Sequence, residues 1–262
     1  MGSLGNCFLK LLSISMITLF LFSPSAGQAK IIQAEIEHKE ILPEVPAPFR
    51  TGAVLDHQSI QPRVEWFPVP DWMAGTWMKE GDMETYEKDF LRNSEIRLDK
   101  WVANQVTIFF GHLKDAKNTI WHAEVTPFRA DGKRGMSRDQ RYVMQISCLN
   151  SSPSNVVLSF HSVVVGLDSR GVVAQSRQQE EIIRFYPDSA STMTTVSSTK
   201  TFDEKGRPLY QLNSHTKRLK MREFEERTSQ SGIDLVTSLN DFFSQNNMQD
   251  RIATCEPSED RY

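Results

Sequence analysis

From Trp72 onward, apolar and polar residues alternate with a period of two over one short segment after another. Val106, Ile108 and Phe110 alternate with Gln105, Thr107 and Phe109, and Trp121, Ala123 and Val125 alternate with His122, Glu124 and Thr126. Tyr142, Met144, Ile146 and Cys148 share one face, with Arg141, Gln145 and Ser147 on the other. Side chains in a strand point alternately to its two sides, so this pattern predicts half-buried antiparallel strands. Val156–Val165 is more continuously apolar, as expected of a strand covered on both faces. Glu180–Tyr186, Thr192–Thr201 and Leu209–Leu219 continue the series.

The punctuation between these segments agrees. Asp168-Ser169-Arg170-Gly171 and Asp203-Glu204-Lys205-Gly206 each end in glycine, which suits a type I turn closed by a left-handed residue. Asp131-Gly132-Lys133-Arg134-Gly135 marks a longer loop. The count is about 8–10 strands, a number compatible with a closed, up-and-down antiparallel β-barrel. One helix follows at about residues 232–247. Ser231 or Asp234 can cap it, and Ile233, Val236, Leu239, Phe242 and Phe243 fall on one face at helical spacing. That helix is expected to pack outside the barrel or to close one end.

The N-terminal part reads differently. Lys10 precedes an apolar run from Leu11 to Phe22, Ser23-Pro24-Ser25 interrupts it, and Gly27-Gln28-Ala29 supplies small residues. A charged start, a short apolar core and a small-residue site are the layout of a secretory signal. The run is shorter than the roughly 20 residues a bilayer-spanning helix needs, so cleavage after Ala29 is favoured over anchoring. Residues 1–29 are therefore expected to be removed, and the destination is the periplasm, a lumen or the medium. Residues 30–70 carry Pro43, Pro46, Pro48, Pro62, Pro68 and Pro70. They read as an extended lead-in along the surface of the domain at 71–262, with a short strand or helix possible around Lys30–Ile41.

Removing the first 29 of 262 residues leaves 233 and discards one lysine and no acid, so the net charge moves from −3 to −4. A strongly basic face is absent from this composition, which argues against a nucleic-acid partner. Cys7 leaves with the signal, so Cys148 and Cys255 remain and can form one disulfide in an oxidising compartment.

The segment Asp71-Trp72-Met73-Ala74-Gly75-Thr76-Trp77 opens the meander. Its Gly75-Thr76-Trp77 resembles the Gly-x-Trp that begins the first strand of the calycins, the superfamily of lipocalins and fatty-acid-binding proteins. The resemblance is confined to these three residues and their position. It implies a ligand-holding barrel whose base is closed by Trp77, with a basic residue late in the chain, Arg218 or Arg222, packed over the indole. It also implies a tail tethered by a disulfide, for which Cys148 and Cys255 are the candidates.

No residue set nominates itself for catalysis. The six histidines lack metal-ligand spacing; His112 and His122 flank a hairpin and could be neighbours, but two imidazoles make an incomplete zinc site. Some calycin-like barrels hold haem through an inward histidine, which singles out His161 and His215; the simpler reading makes both polar strand residues, with no cofactor. Glu180 and Glu181 are adjacent, so on a strand they point to opposite faces. If the apolar faces turn inward, Phe110, Trp121, Val125, Tyr142, Met144, Ile146 and Phe160 meet in the interior as a pocket for a hydrophobic small molecule. The same residues would make a filled core. The expectation is thus an exported barrel that binds or carries such a molecule. The alternatives are an interaction module whose partner is another envelope or secreted protein, or an enzyme of isomerase or chromophore-attachment type.

Overall fold

The alternating segments form strands, and their parity decides what each strand shows to the two sides of one large sheet. The structure, a computed structural model, describes residues 37–55, 62–130 and 139–252. Residues 1–29, with the expected signal, and the expected loop at Asp131–Gly135 lie outside them, as does most of the Lys30–Ile41 stretch. The elements are β1 (Arg63–Val69), β2 (Gly75–Asp89), β3 (Ser94–Phe110), β4 (Leu113–Lys114), β5 (Ile120–Thr126), β6 (Phe128–Ala130), β7 (Asp139–Ser151), β8 (Val156–Leu167), β9 (Val173–Pro187), β10 (Thr192–Asp203) and β11 (Pro208–Arg222). A small hairpin, β12 (Ser229–Gln230) and β13 (Ile233–Asp234), leads into α1 (Leu235–Gln245).

The protein is mainly β, with up-and-down antiparallel strands. Eight strands form one sheet in the order β3-β2-β11-β10-β9-β8-β7-β6. Sequence reading anticipates a closed barrel, but this sheet does not close on itself. Its edges are β3 and the three-residue β6, and a second sheet, β1-β5-β4, packs against β7. Proline explains part of this arrangement. β1 carries Pro68 inside the stretch expected to be extended lead-in, and it is an edge strand, where a missing N–H donor is tolerated.

The two glycine-ended turns are built alike. At each, the glycine has a left-handed backbone, φ 81° at Gly171 and 80° at Gly206. The leading aspartate's Oδ1 accepts two backbone N–H groups, those of Arg170 and Val172 on Asp168, and those of Lys205 and Arg207 on Asp203. The aspartate thus replaces ladder bonds that the turn leaves unmade.

The sheet is covered on both sides. Residues 37–55 run as an arm over its outer face, where Val45 and Phe49 pack with Tyr142, Val163, Val165 and Val173. Leu42 N and Val45 N donate to Gly206 O and Glu204 O, both at 3.0 Å. Gln178 Nε2 donates to Pro43 O, and His38 bridges Glu180 Oε2 and Ser198 Oγ at 3.0 and 2.8 Å. Burial disfavours the Glu180 carboxylate, but its bonds from His38 and the Lys39 N–H outweigh that and hold its pKa below the ordinary value. Val156 and Leu158 of the same β8 point inward, to a core of Trp77, Phe110, Phe185 and Met193. Both faces of β8 are therefore covered, as its continuous apolar run predicts.

Asp234 caps α1, its Oδ1 accepting from Val236 N and Thr237 N. Leu235, Leu239 and Phe243, spaced by four, pack on Trp66, Leu113, Trp121 and Ala123. The helix thus covers the β1-β5-β4 sheet. Val236, placed on the buried face by sequence reading, is 42% exposed. No helix among the described residues is long and apolar enough to cross a membrane.

Candidate functional site

The inner face of the large sheet bounds a cavity of about 760 Å³, with His122 and Glu124 of β5 in its wall. Its apolar wall comes from residues on the inward parity of their strands: Ile108 and Phe110 on β3, Ile146 on β7, Phe160 on β8, Ile183 and Phe185 on β9. Farther along β7 and β9, and on β2, β10 and β11, the inward positions are polar. Lys79, Asp82 and Glu84 of β2, Arg141 of β7, Glu181 of β9, Ser197 and Thr199 of β10, and Ser214 and Arg218 of β11 supply a polar wall. A half-apolar, half-polar lining of this volume is within the range of small-molecule sites.

Most of the charges in this wall are paired. Lys79 Nζ lies 2.7 and 2.6 Å from the two Asp82 oxygens. Arg141 Nη2 donates to Glu181 Oε2 at 2.9 Å, and its Nε to Ser162 Oγ. Lys100 reaches Glu84 Oε2 at 3.2 Å. Arg218 differs. It is 4% exposed, and its Nε and Nη1 have no hydrogen-bond partner. Burial pushes its pKa down to about 10, opposed by the fields of Asp82 and Glu181, so it remains a cation at neutral pH.

Two histidines lock β5 to the end of β3. Gly111 N donates to His122 Nδ1 at 3.1 Å, and Ala123 N donates to His112 Nδ1 at 2.9 Å. Each Nδ1 is thereby an acceptor, which leaves the proton on Nε2. His122 Nε2 then donates to Glu124 Oε1 at 3.0 Å, and His112 Nε2 to Gln230 Oε1. The rings stack 4.7 Å apart. Burial first, then the neighbouring His122, push the His112 pKa to about 3, with the Gln230 bond opposing and Arg227 adding to the shift. The pair foreseen as neighbours across a hairpin is therefore real, and no group of three metal-ligating side chains occurs among the described residues.

Of the seven residues expected to line a pocket, Phe110, Ile146 and Phe160 do so. Trp121 instead packs against Phe242 and Phe243 of α1, and its Nε1 donates to Asp115 Oδ2. Val125 is buried opposite Val64 of β1, away from the lining. Tyr142 and Met144 lie on the outer face, the Tyr142 ring tilted against Phe49 with centroids 5.1 Å apart. A bulge between Val143 and Gln145 explains the split. One extra residue reverses the parity, so Tyr142 and Met144 point out while Ile146 points in.

The residues expected to close a barrel base lie at the start of β2. Trp77 is fully buried, its Nε1 donating to Met73 O at 2.8 Å. Gly75 has φ 122°, and a Cβ there would lie 2.5 Å from Arg222 O. The cation over the indole, however, is Lys220, 5.2 Å from the ring, in place of the expected Arg218 or Arg222. His161 bonds Gln178 on the outer face and His215 is exposed, so neither points into the cavity. Cys148 is half-buried, and burial raises its thiol pKa; its expected partner Cys255 lies outside the described residues. Glu180 and Glu181 do point apart, one to the arm and one to the cavity.

Sequence reading missed the polar wall. Glu181 shares parity with the inward Ile183 and Phe185, and that signal was present along β9, whereas Arg141 reaches the side of Ile146 only through the bulge. No protein-family model matches the chain, and no curated protein matches it.

Proposed function

We propose that the protein binds or carries a hydrophobic small molecule with a polar end, in the cavity under the large sheet. The observation that carries this reading is the cavity itself: about 760 Å³ bounded by Ile108, Phe110, Ile146, Phe160, Ile183 and Phe185 on one part and by charged side chains on another. Phe110 and Phe185 touch, with ring centroids 5.3 Å apart, and the volume that this apolar wall and the polar side chains bound is what a bound molecule would occupy. Gly75, the buried Trp77 and the lysine over its ring support a calycin-like reading of the scaffold. Export by the N-terminal signal belongs to the same proposal, and so does a Cys148–Cys255 link in an oxidising compartment.

The second reading, an interaction module, has one observation in its favour. Leu91, Ile96 and Trp101 are 76, 57 and 53% exposed on and beside β3, an edge strand. Exposed apolar residues along an open strand edge are a usual feature of protein contacts.

Native mass spectrometry of the protein from its own source separates the two. The carrier reading predicts an added mass of a few hundred daltons that disappears on denaturation. A bare chain, or one accompanied only by another protein, favours the second.

A further inference from the structure

We infer that β3 is a self-pairing edge: two copies of this chain join their β3 strands antiparallel about a two-fold axis at Leu98, which makes their large sheets continuous. This pairing goes beyond the binding reading and does not depend on what the cavity holds.

An open sheet leaves two edges, each with a row of unpaired backbone N–H and C=O groups. The two edges here are unlike. β6 is three residues long, and shortness is a common protection against edge pairing. β3 is 17 residues long, contains no proline, and among the described residues has only β2 beside it. From Ser94 to Gln105 all its residues except Leu98 and Val102 are exposed, Ile96 and Trp101 at 57 and 53%.

Charge favours a second copy as the occupant of that edge. Edge strands are commonly kept apart by charges of one sign, lysine above all. Between Glu95 and Lys100, β3 carries Glu95, Arg97, Asp99 and Lys100, two charges of each sign. Lys100 is bonded to Glu84 within the chain, and Glu95 accepts from the Tyr86 hydroxyl at 2.8 Å. Arg97 and Asp99 have no ion pair among the described residues. They lie on one face of the strand, with Leu98 between them on the other.

Symmetry narrows the register. Opposed residues of an antiparallel pair point to the same face, so a two-fold axis normal to the sheet passes where a residue meets its own copy. With the axis on Glu95, Arg97, Asp99 or Lys100, like charges meet. On Ile96 only Ser94–Leu98 could pair, because the chain turns at Asn93, where φ is 47°. On Trp101 or beyond, no opposite charges face each other. On Leu98, Arg97 faces Asp99 of the second copy, and Asp99 faces its Arg97. The other face then sets Leu98 against Leu98, with the exposed Ile96 of each copy beside them. Ser94–Val102 of each copy forms the ladder.

The test is sedimentation velocity of the purified protein and three variants, at concentrations up to about 100 µM, since a joint of this small size is expected to be of micromolar affinity. The wild-type protein is expected to be dimeric at the top of that range. Asp99→Arg and Arg97→Asp each bring like charges together twice, and each should weaken association about tenfold or more. The combined R97D/D99R exchange restores the opposite pairs and should recover the dimer to within about threefold of wild type. Far-UV circular dichroism checks that each variant is folded. A wild-type protein that stays monomeric at the top of the range overturns the inference, and so does a dimer that both single substitutions leave intact. A folded R97D/D99R variant that associates no better than the single variants overturns it too, because exchanging the two charges repairs the contact only if they face each other across the axis.

Discussion

Arg218 and His112 are the two residues at which burial works hardest against charge, and they respond oppositely. Arg218 stays cationic with nothing to bond two of its nitrogens, so the empty protein bears the cost. Arg218→Met should stabilise the ligand-free protein by about 1–3 kcal/mol, the usual penalty of a buried unsatisfied polar group. A urea midpoint that falls instead would mean that the guanidinium is already satisfied without ligand. His112 avoids the cost by remaining neutral, with a pKa of about 3 against 6.5 for the free side chain. The unfolded chain therefore takes up a proton below pH 6.5 that the folded chain refuses, and stability falls as pH falls from there toward 3. Between pH 7.5 and 5 this should remove about 2 kcal/mol of unfolding free energy, and His112→Asn should lose most of that slope. Asp115 and Glu180, whose folded pKa values are also lowered, act in the same direction but at lower pH, near the ordinary carboxylate range. Measuring down to pH 5 keeps them apart. At this scale the sequence was a partial guide. It placed His112 and His122 together because a hairpin joins them, and it set Glu180 and Glu181 on opposite faces by parity. It put the wrong cation over Trp77, because only the β2–β11 register, which pairs Trp77 with Lys220, decides that.

Among the elements, the arm at 37–55 has the clearest energetic role, since it covers the outer face that β8 would otherwise expose. Phe49 is 1% exposed against Tyr142, and Phe49→Ala should cost about 3–5 kcal/mol by chemical denaturation. A loss below 1 kcal/mol would show that the arm is not docked as described. Gly206 tests the docking from the other side. Its φ is 80°, and a Cβ there would lie 1.8 Å from Leu42 O, a distance no backbone accommodates without moving. Gly206→Ala should release the arm, seen as faster hydrogen exchange at the Leu42 and Val45 amides, which donate to the turn. Unchanged protection there would contradict the contact. Strands and both glycine turns were legible because their signals are local, period two and Asp-x-x-Gly. The bulge at Val143/Gln145 was not, since no residue there departs from an ordinary strand composition, and that one insertion moved Tyr142 and Met144 from the expected pocket to the arm.

For the whole molecule, the mainly β class and the up-and-down order of the eight-stranded sheet were readable, and closure was not. Closure depends on which strands meet across the gap, a contact between segments far apart in sequence, and here the β1-β5-β4 sheet stands against β7 instead. That arrangement also decided the site. The pocket is walled by the inward parity of β2, β3 and β7–β11, together with His122 and Glu124, so its polar half draws on strands that no single motif joins. The central claim is that this volume is meant to be occupied. Its most direct test is a fluorescence titration of the purified protein with N-phenyl-1-naphthylamine, wild type beside Ile183→Trp, which fills the cavity from the apolar wall. Saturable, blue-shifted binding of one probe per chain, lost in Ile183→Trp, is the result expected. No saturable binding to the wild-type protein, or equal binding by the filled variant, would contradict the account.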